Sequence, residues 1–132
     1  MRPGTTLGDE VRLGNYVEVK NSSVGDRSKI SHLSYVGDAE IGRDVNIGCG
    51  FVTCNSDGGP VKRRTVIEDG AFVGSASQAV APVRLGAGCF VATGTTVTED
   101  VPAGAMAISR GRQTTKAGYA RKYAARRTAP KP

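Results

Sequence analysis

Tryptophan is absent, aromatic residues make up 5% of the 132, and there is a single histidine, His32. So few large side chains exclude a conventional globular core built on bulky aromatics. One histidine per chain also excludes a zinc centre that needs about three imidazole ligands, partly from a neighbouring chain. The three cysteines, Cys49, Cys54 and Cys89, form no C-x-x-C pair. Neither a disulfide framework nor a paired-thiol metal site is indicated, and the expectation is structural thiols in a reducing cytoplasm. No apolar run reaches the length of a membrane helix or a signal peptide. No G-x-x-x-x-G-K-[ST] phosphate loop and no G-x-S-x-G elbow occurs, so covalent nucleophile chemistry has no support.

Glycine, by contrast, is abundant: 18 residues, about twice the usual share. Charge is uneven. Residues 1–109 hold ten Lys/Arg and all twelve acids, whereas residues 110–132 hold eight Lys/Arg and no acid. A near-neutral body, 1–109, is thus followed by a basic tail, 110–132. The tail reads either as a site for an anionic partner or as a solvated terminus.

Small aliphatic or equivalent residues recur at Leu7, Leu13, Val19, Val24, Ile30, Val36, Ile41, Ile47 and Thr53. They resume at Ile67, Val73, Ala79, Leu85, Val91 and Val97. The steps are six residues, with fives at Val19–Val24 and Val36–Ile41. A helix would repeat at 3.6 and a half-buried strand at 2, so a step of six fits neither. It fits a short strand and a tight turn per block, three blocks closing a triangular coil with the aliphatics inside. Three blocks make about 18 residues, giving about five coils of an all-β parallel β-helix. The segment 54–66, with Asp57-Gly58-Gly59-Pro60 and then Lys62, Arg63 and Arg64, reads as a loop thrown out from a corner. Residues 113–127 read as a short basic helix with Tyr119 and Tyr123 four apart.

His32 is the natural candidate for a general base near neutral pH. It falls at the third position of the block opened by Ile30, on or near a corner of the coil, with Tyr35 three residues on.

Several segments carry a resemblance. They are Arg2-Pro3-Gly4, G-N-Y-V-E-V-K (14–20), H-L-S-Y-V-G-D-A-E-I-G (32–42), V-N-I-G (45–48) and T-C-N-S-D-G (53–58), followed by R-T-V-I (64–67), F-V-G-S (72–75), V-A-P-V (80–83) and A-I-S-R (107–110). From Arg2 to about Tyr119 the chain resembles the acetyltransferase half of the bacterial bifunctional N-acetylglucosamine-1-phosphate uridyltransferase / glucosamine-1-phosphate N-acetyltransferase family. The resemblance implies a left-handed coil, a cytoplasmic homotrimer, and acetyl transfer from acetyl-CoA to the amine of glucosamine-1-phosphate, with no metal in this half-reaction. It assigns His32 as general base. Arg2, Lys20 and Lys62 would bind the sugar phosphate, and Tyr35 and Asn46 would hold the sugar. Asn55, Ser56, Ser75, Thr93 and Arg110 would line the acetyl-CoA site.

The chain departs from the family in three ways. Ser56 stands where the family has Tyr, Cys49 where it usually has Ala, and Thr93 where it usually has a small residue. The β-helix is expected to be N-terminally shortened and to lack the nucleotide-binding domain, so uridyl transfer is not implied for these residues. Two alternatives keep the fold: an acyltransferase acting on another amino sugar, and an inactive truncated β-helix serving as a scaffold. A nucleic-acid role is disfavoured because the body is slightly acidic and has no basic stripe. No membrane partner is expected.

Overall fold

A computed structural model describes residues 1–130. The chain winds as a parallel β-solenoid whose coils stack in register along three faces. The first face carries Thr6–Leu7, Ser23–Val24, Ala39–Ile41, Thr65–Ile67 and Val83–Leu85, and Val101 bridges to Leu85 as a sixth rung. The second carries Arg12, Lys29, Asn46, Phe72, Phe90 and Met106 in successive rungs. The third carries Glu18, Tyr35, Val52, Gln78 and Thr96. Two long strands, Arg12–Lys20 and Lys29–Gly37, run across the corner between the second and third faces.

The count is about six turns rather than five. The stack continues past residue 102, where Met106 and Ala107 lie over Phe90 and Val91 as one more rung, and the coils are not all of one length. Thr6 pairs with Ser23 and Ser23 with Glu40, each 17 residues on. Past the loop, Val66 pairs with Arg84 and Phe72 with Phe90, each 18 residues on. The two five-residue steps in the sequence fall at one corner, between the third and first faces, and make the early coils 17 long.

The repeat aliphatics point inward as expected. Ile30, Ile47, Val73 and Val91 form one buried column, and Val24, Ile41, Ile67 and Leu85 form another. Each such side chain contributes ~1.5–3 kcal/mol on burial. Among the largest fully buried side chains is Phe51, just past the corner. The corners need left-handed backbone: Glu10, Arg27, Asp44, Gly70, Gly88 and Gly104 follow one another up one edge, all with positive φ. From Arg27 onward their N–H groups donate to the coil below, as in Asp44 N–H to Asp26 C=O at 3.0 Å and Gly88 N–H to Asp69 C=O at 2.9 Å. Inside the prism, buried hydroxyls complete what the strands leave open. Ser22 Oγ accepts the Ala39 N–H at 3.0 Å, and Ser28 Oγ accepts the Val45 N–H at 3.0 Å. Thr53 Oγ1 accepts the Gly37 N–H at 2.8 Å.

The protruding loop is tighter than its sequence suggests. Strand persists through Cys54 and resumes at Thr65, so the excursion is residues 55–64. Its neck is closed by the Arg63 N–H donating to the Asn55 carbonyl at 2.8 Å. The helix runs Tyr119–Thr128, not from 113. Gly118, at φ 75° in the left-handed region, sets its start, and none of its residues is buried. The Tyr119 and Tyr123 rings stack with centroids 6.4 Å apart. Among the described residues no helix is long and apolar enough to cross a membrane.

Removing the Phe51 ring opens a void that its close-packed neighbours cannot refill. Phe51→Ala is expected to cost ~3–5 kcal/mol in urea unfolding. A loss below ~1 kcal/mol would show that the prism interior re-packs freely at that position.

Candidate functional site

Two adjacent corners gather most of the chemistry-bearing side chains. On the corner between the second and third faces, His32 lies in register with Asn15 of the coil before it. The next coil places Cys49 there, since the Gly50 N–H donates back to the Leu33 carbonyl at 2.9 Å. The following coils place Ser75 and Thr93: the Ala76 N–H donates to the Cys49 carbonyl at 2.7 Å, and the Gly94 N–H to the Ser75 carbonyl at 2.9 Å. His32, Cys49, Ser75 and Thr93 are all exposed, and successive members are about one strand spacing, ~4.8 Å, apart. Glycine is required between rungs: a Cβ at Gly48 would lie 2.6 Å from the Ser75 nitrogen, and one at Gly74 2.6 Å from the Thr93 nitrogen. Of the three thiols only Cys89 is sealed inside. Cys49 stands exposed on this ladder, which corrects the expectation of three structural thiols; the six-residue repeat does not distinguish corner positions from core positions.

The corner between the third and first faces is different in kind. It stacks Gly4, Asn21, Asp38 and Asn55, one per coil. Asn21 and Asp38 both adopt positive φ, 45° and 52°, a conformation short polar side chains tolerate. The Asp38 carboxylate is buried, 5% exposed, and receives a donor on each oxygen. Asn21 Nδ2 donates to Oδ1 at 2.7 Å, and Asn55 Nδ2 to Oδ2 at 2.7 Å. Lys20 Nζ stands 4.0 Å from Oδ2. Asn55 Nδ2 also donates to the Tyr35 hydroxyl at 3.1 Å. Gly37 leaves room for this: a Cβ there would overlap the Tyr35 hydroxyl and crowd the Asn55 amide. Burial alone would push the Asp38 carboxyl up. The amide bonds from Asn21 and Asn55, with Lys20 and Arg64 nearby, outweigh that and hold it below the ordinary carboxylate range.

The structure therefore brings together Lys20, Tyr35 and Asn55. Arg2 joins them, because its N–H donates to the Val19 carbonyl at 2.8 Å and its guanidinium lies 3.7 Å from Glu18, the residue paired with Tyr35 in the next coil. His32, Ser75 and Thr93 share the neighbouring corner. Lys62 is exposed on the loop, where Arg63 and Arg64 are engaged by Asp57 and Glu40 at 3.8 and 3.2 Å. Ser56 is exposed at the loop's start, and its hydroxyl accepts the Gly58 N–H at 3.3 Å. Asn46 stands on the second face between Lys29 and Phe72, one face away from Tyr35. Arg110 is exposed beyond the last rung. Among the described residues no group of three or more His, Cys, Asp or Glu is placed to hold a metal ion.

Asp38 is the site residue that motif reading missed. A signal for it exists: Asn21, Asp38 and Asn55 are spaced 17 apart in the sequence, the coil length of this part of the solenoid.

Because the folded Asp38 carboxyl lies below its unfolded value of about 3.9, its stabilisation is present above that pH and is lost as the pH falls towards the folded value. Asp38→Asn is expected to be less stable than the wild type at neutral pH, with the difference narrowing below about pH 4. Urea unfolding across pH 2–7 checks this, and a gap independent of pH contradicts it.

Residues 64–99 match the hexapeptide repeat of succinyl-transferase. The chain is 56% identical over 122 residues to bifunctional protein GlmU of Shouchella clausii, covering 92% of this chain and 27% of that protein. It is 60% identical over 119 residues to bifunctional protein GlmU of Pelobacter propionicus, covering 90% and 26%. The chain thus spans about a quarter of the length of these relatives. Among solved structures it resembles a hexapeptide-repeat acetyltransferase of Vibrio cholerae, with TM-score 0.71, 20% identity, and 83% and 74% of the two chains covered. It also resembles a perosamine N-acetyltransferase of Caulobacter crescentus solved with CoA and GDP-perosamine, with TM-score 0.63, 22% identity, and 83% and 55% covered. These two structures speak to the fold. A parallel solenoid of short coils, matched over nine-tenths of its length to the bifunctional relatives, makes this chain a hexapeptide-repeat protein corresponding to the C-terminal part of bifunctional protein GlmU.

Proposed function

We propose that the chain transfers an acetyl group from acetyl-CoA to the amine of glucosamine-1-phosphate. The observation that carries this reading is the placement of His32: exposed, on a corner, in one line with Ser75 and Thr93 and beside the corner that holds Tyr35, Asn55 and Lys20. The chemistry matches that inventory. The amine nitrogen attacks the thioester carbonyl carbon, a C–N bond forms and the C–S bond breaks. His32 takes the proton lost by the amine, and the thiolate of CoA leaves and is reprotonated. Neither a metal nor a covalent enzyme intermediate is needed.

In this reading Arg2, Lys20 and Lys62 bind the phosphate, for which cationic donors are suited. Tyr35 and Asn46 hold the sugar. The corner ladder of Ser75 and Thr93, with Asn55, Ser56 and Arg110, receives the acyl donor. Asn46 and Arg110 lie apart from the two corners, which suits sites assembled between subunits of a homotrimer. The exposed, stacked Phe72 and Phe90, with centroids 5.0 Å apart, and Met106 in the next rung form an apolar row that fits such a lateral contact.

His32→Ala is expected to lower turnover by ~10²–10⁴ while the circular dichroism of the coils is unchanged. A thiol-release assay with acetyl-CoA and glucosamine-1-phosphate measures this, with glucosamine-6-phosphate and glucosamine as controls. Full activity in the variant removes His32 from the role, and equal rates on plain glucosamine transfer the reading to a different amine. Sedimentation equilibrium is expected to give a trimer; a monomer with full activity overturns the shared-site arrangement.

A further inference from the structure

The ladder Asn21, Asp38, Asn55 alternates amide, carboxylate, amide, one residue per coil, and ends against the Tyr35 hydroxyl. We propose that Asp38 is a positioning residue. Its buried carboxylate fixes the orientation of the Asn55 amide, so that Asn55 offers a ligand its carbonyl oxygen and Tyr35 offers a ligand its hydroxyl proton. This rests on the proposed acetyl transfer for the identity of the ligand, but not for the orientation itself.

The donor count carries the argument. An ionised carboxylate only accepts, and a side-chain amide has two N–H donors and one carbonyl acceptor. Asp38 accepts one Asn55 proton at 2.7 Å, and Tyr35 Oη accepts the other at 3.1 Å. Turning the Asn55 amide over would set its carbonyl oxygen against the Asp38 carboxylate, two acceptors with no proton between them. The buried charge therefore selects one orientation, and Asn21 holds the carboxylate from the far side at 2.7 Å. In that orientation the Asn55 carbonyl oxygen accepts no bond from any described residue and is not sealed from solvent. Tyr35 Oη, already an acceptor, keeps its own proton for another partner. Together they present one acceptor and one donor. That pair suits a neutral amine, whose N–H the Asn55 carbonyl can receive, next to an oxygen that accepts from Tyr35. An amino sugar carries both groups on neighbouring carbons.

Asp38→Asn keeps the shape and removes the charge. An amide at 38 has one oxygen and one NH2 for the two amides at 21 and 55, so the charge that imposes a single orientation on Asn55 is gone. With the wild-type protein as reference and glucosamine-1-phosphate and acetyl-CoA as substrates, the expected result is about a tenfold or greater rise in KM for the sugar in Asp38→Asn, larger than the rise in KM for acetyl-CoA, whose site Asn55 borders. The unfolding midpoint falls whichever role Asp38 has; a merely structural role would leave that KM split absent. The orientation is read separately by side-chain 15N–1H resonances, those of Asn55 assigned by their loss in Asn55→Asp. Both protons should exchange slowly in the wild type and rapidly in Asp38→Asn. Equal exchange in the two proteins overturns the proposal. If the wild type does not acetylate glucosamine-1-phosphate, the functional reading fails and the exchange data alone decide the role of Asp38. If Asp38→Asn does not fold, Tyr35→Phe decides: one Asn55 proton should stay protected by Asp38, and loss of protection at both overturns the proposal.

Discussion

Everything in this molecule depends on one constraint: a residue must lie directly over its counterpart one coil earlier. Backbone N–H groups of each rung find their carbonyls only in the neighbouring rung, as in Gly42 N–H to Ile67 C=O at 2.8 Å and Gly74 N–H to Val91 C=O at 2.8 Å. A coil that slipped by one residue would turn its inward aliphatics outward and break the ladder at once. The same constraint builds the chemistry. Side chains at equivalent corner positions become a column, whether the column is the exposed set His32, Cys49, Ser75 and Thr93 or the hydrogen-bonded set Asn21, Asp38 and Asn55.

The two columns use stacking for different ends. The first leaves its side chains exposed, with glycine beneath to let one coil approach the next. The second buries a charge and satisfies it completely. A buried carboxylate without donors would be costly, and an unpartnered amide beside it nearly as bad. Alternating amide, acid and amide resolves both problems, and it leaves the polar corner more rigidly specified than an apolar one of the same size would be.

Much of the fold was legible because the repeat is a physical requirement. Aliphatics at Leu7, Leu13, Val19 and onward must be inward, and the two short steps mark the corner where the early coils lose a residue. The coil number is low from sequence because the aliphatic repeat fades after Val97, although Met106 and Ala107 still form a rung. The helix began later than its composition suggested because Gly118 terminates the extended approach to it. Of the candidate site, His32, Tyr35 and Lys20 stand out by residue type, and Tyr35 meets Asn55 directly. Asp38 escaped notice because the block period of six carries no information about which corner residues touch. That information resides in the coil period, where 21, 38 and 55 fall in one line. Cys49 illustrates the same gap: its neighbours are one turn away in space but many residues away along the chain.

The loop at residues 55–64 leaves a corner and returns to the rung above it. Asn46 pairs with Phe72 across 26 residues, yet the coils on either side stay in phase. The chord from Arg63 to Asn55 makes the two ends of the excursion neighbours, so the solenoid below and above does not register how long the excursion is. Sequence length in such a chain is thus of two kinds. Within a strand, each residue is counted and none can be added or lost without changing which side chains point inward. At a corner with a closed neck, residues are uncounted. Insertions and deletions among chains of this architecture are expected to gather at such necks, and it is there that one solenoid can acquire a different ligand while its ladders remain the same.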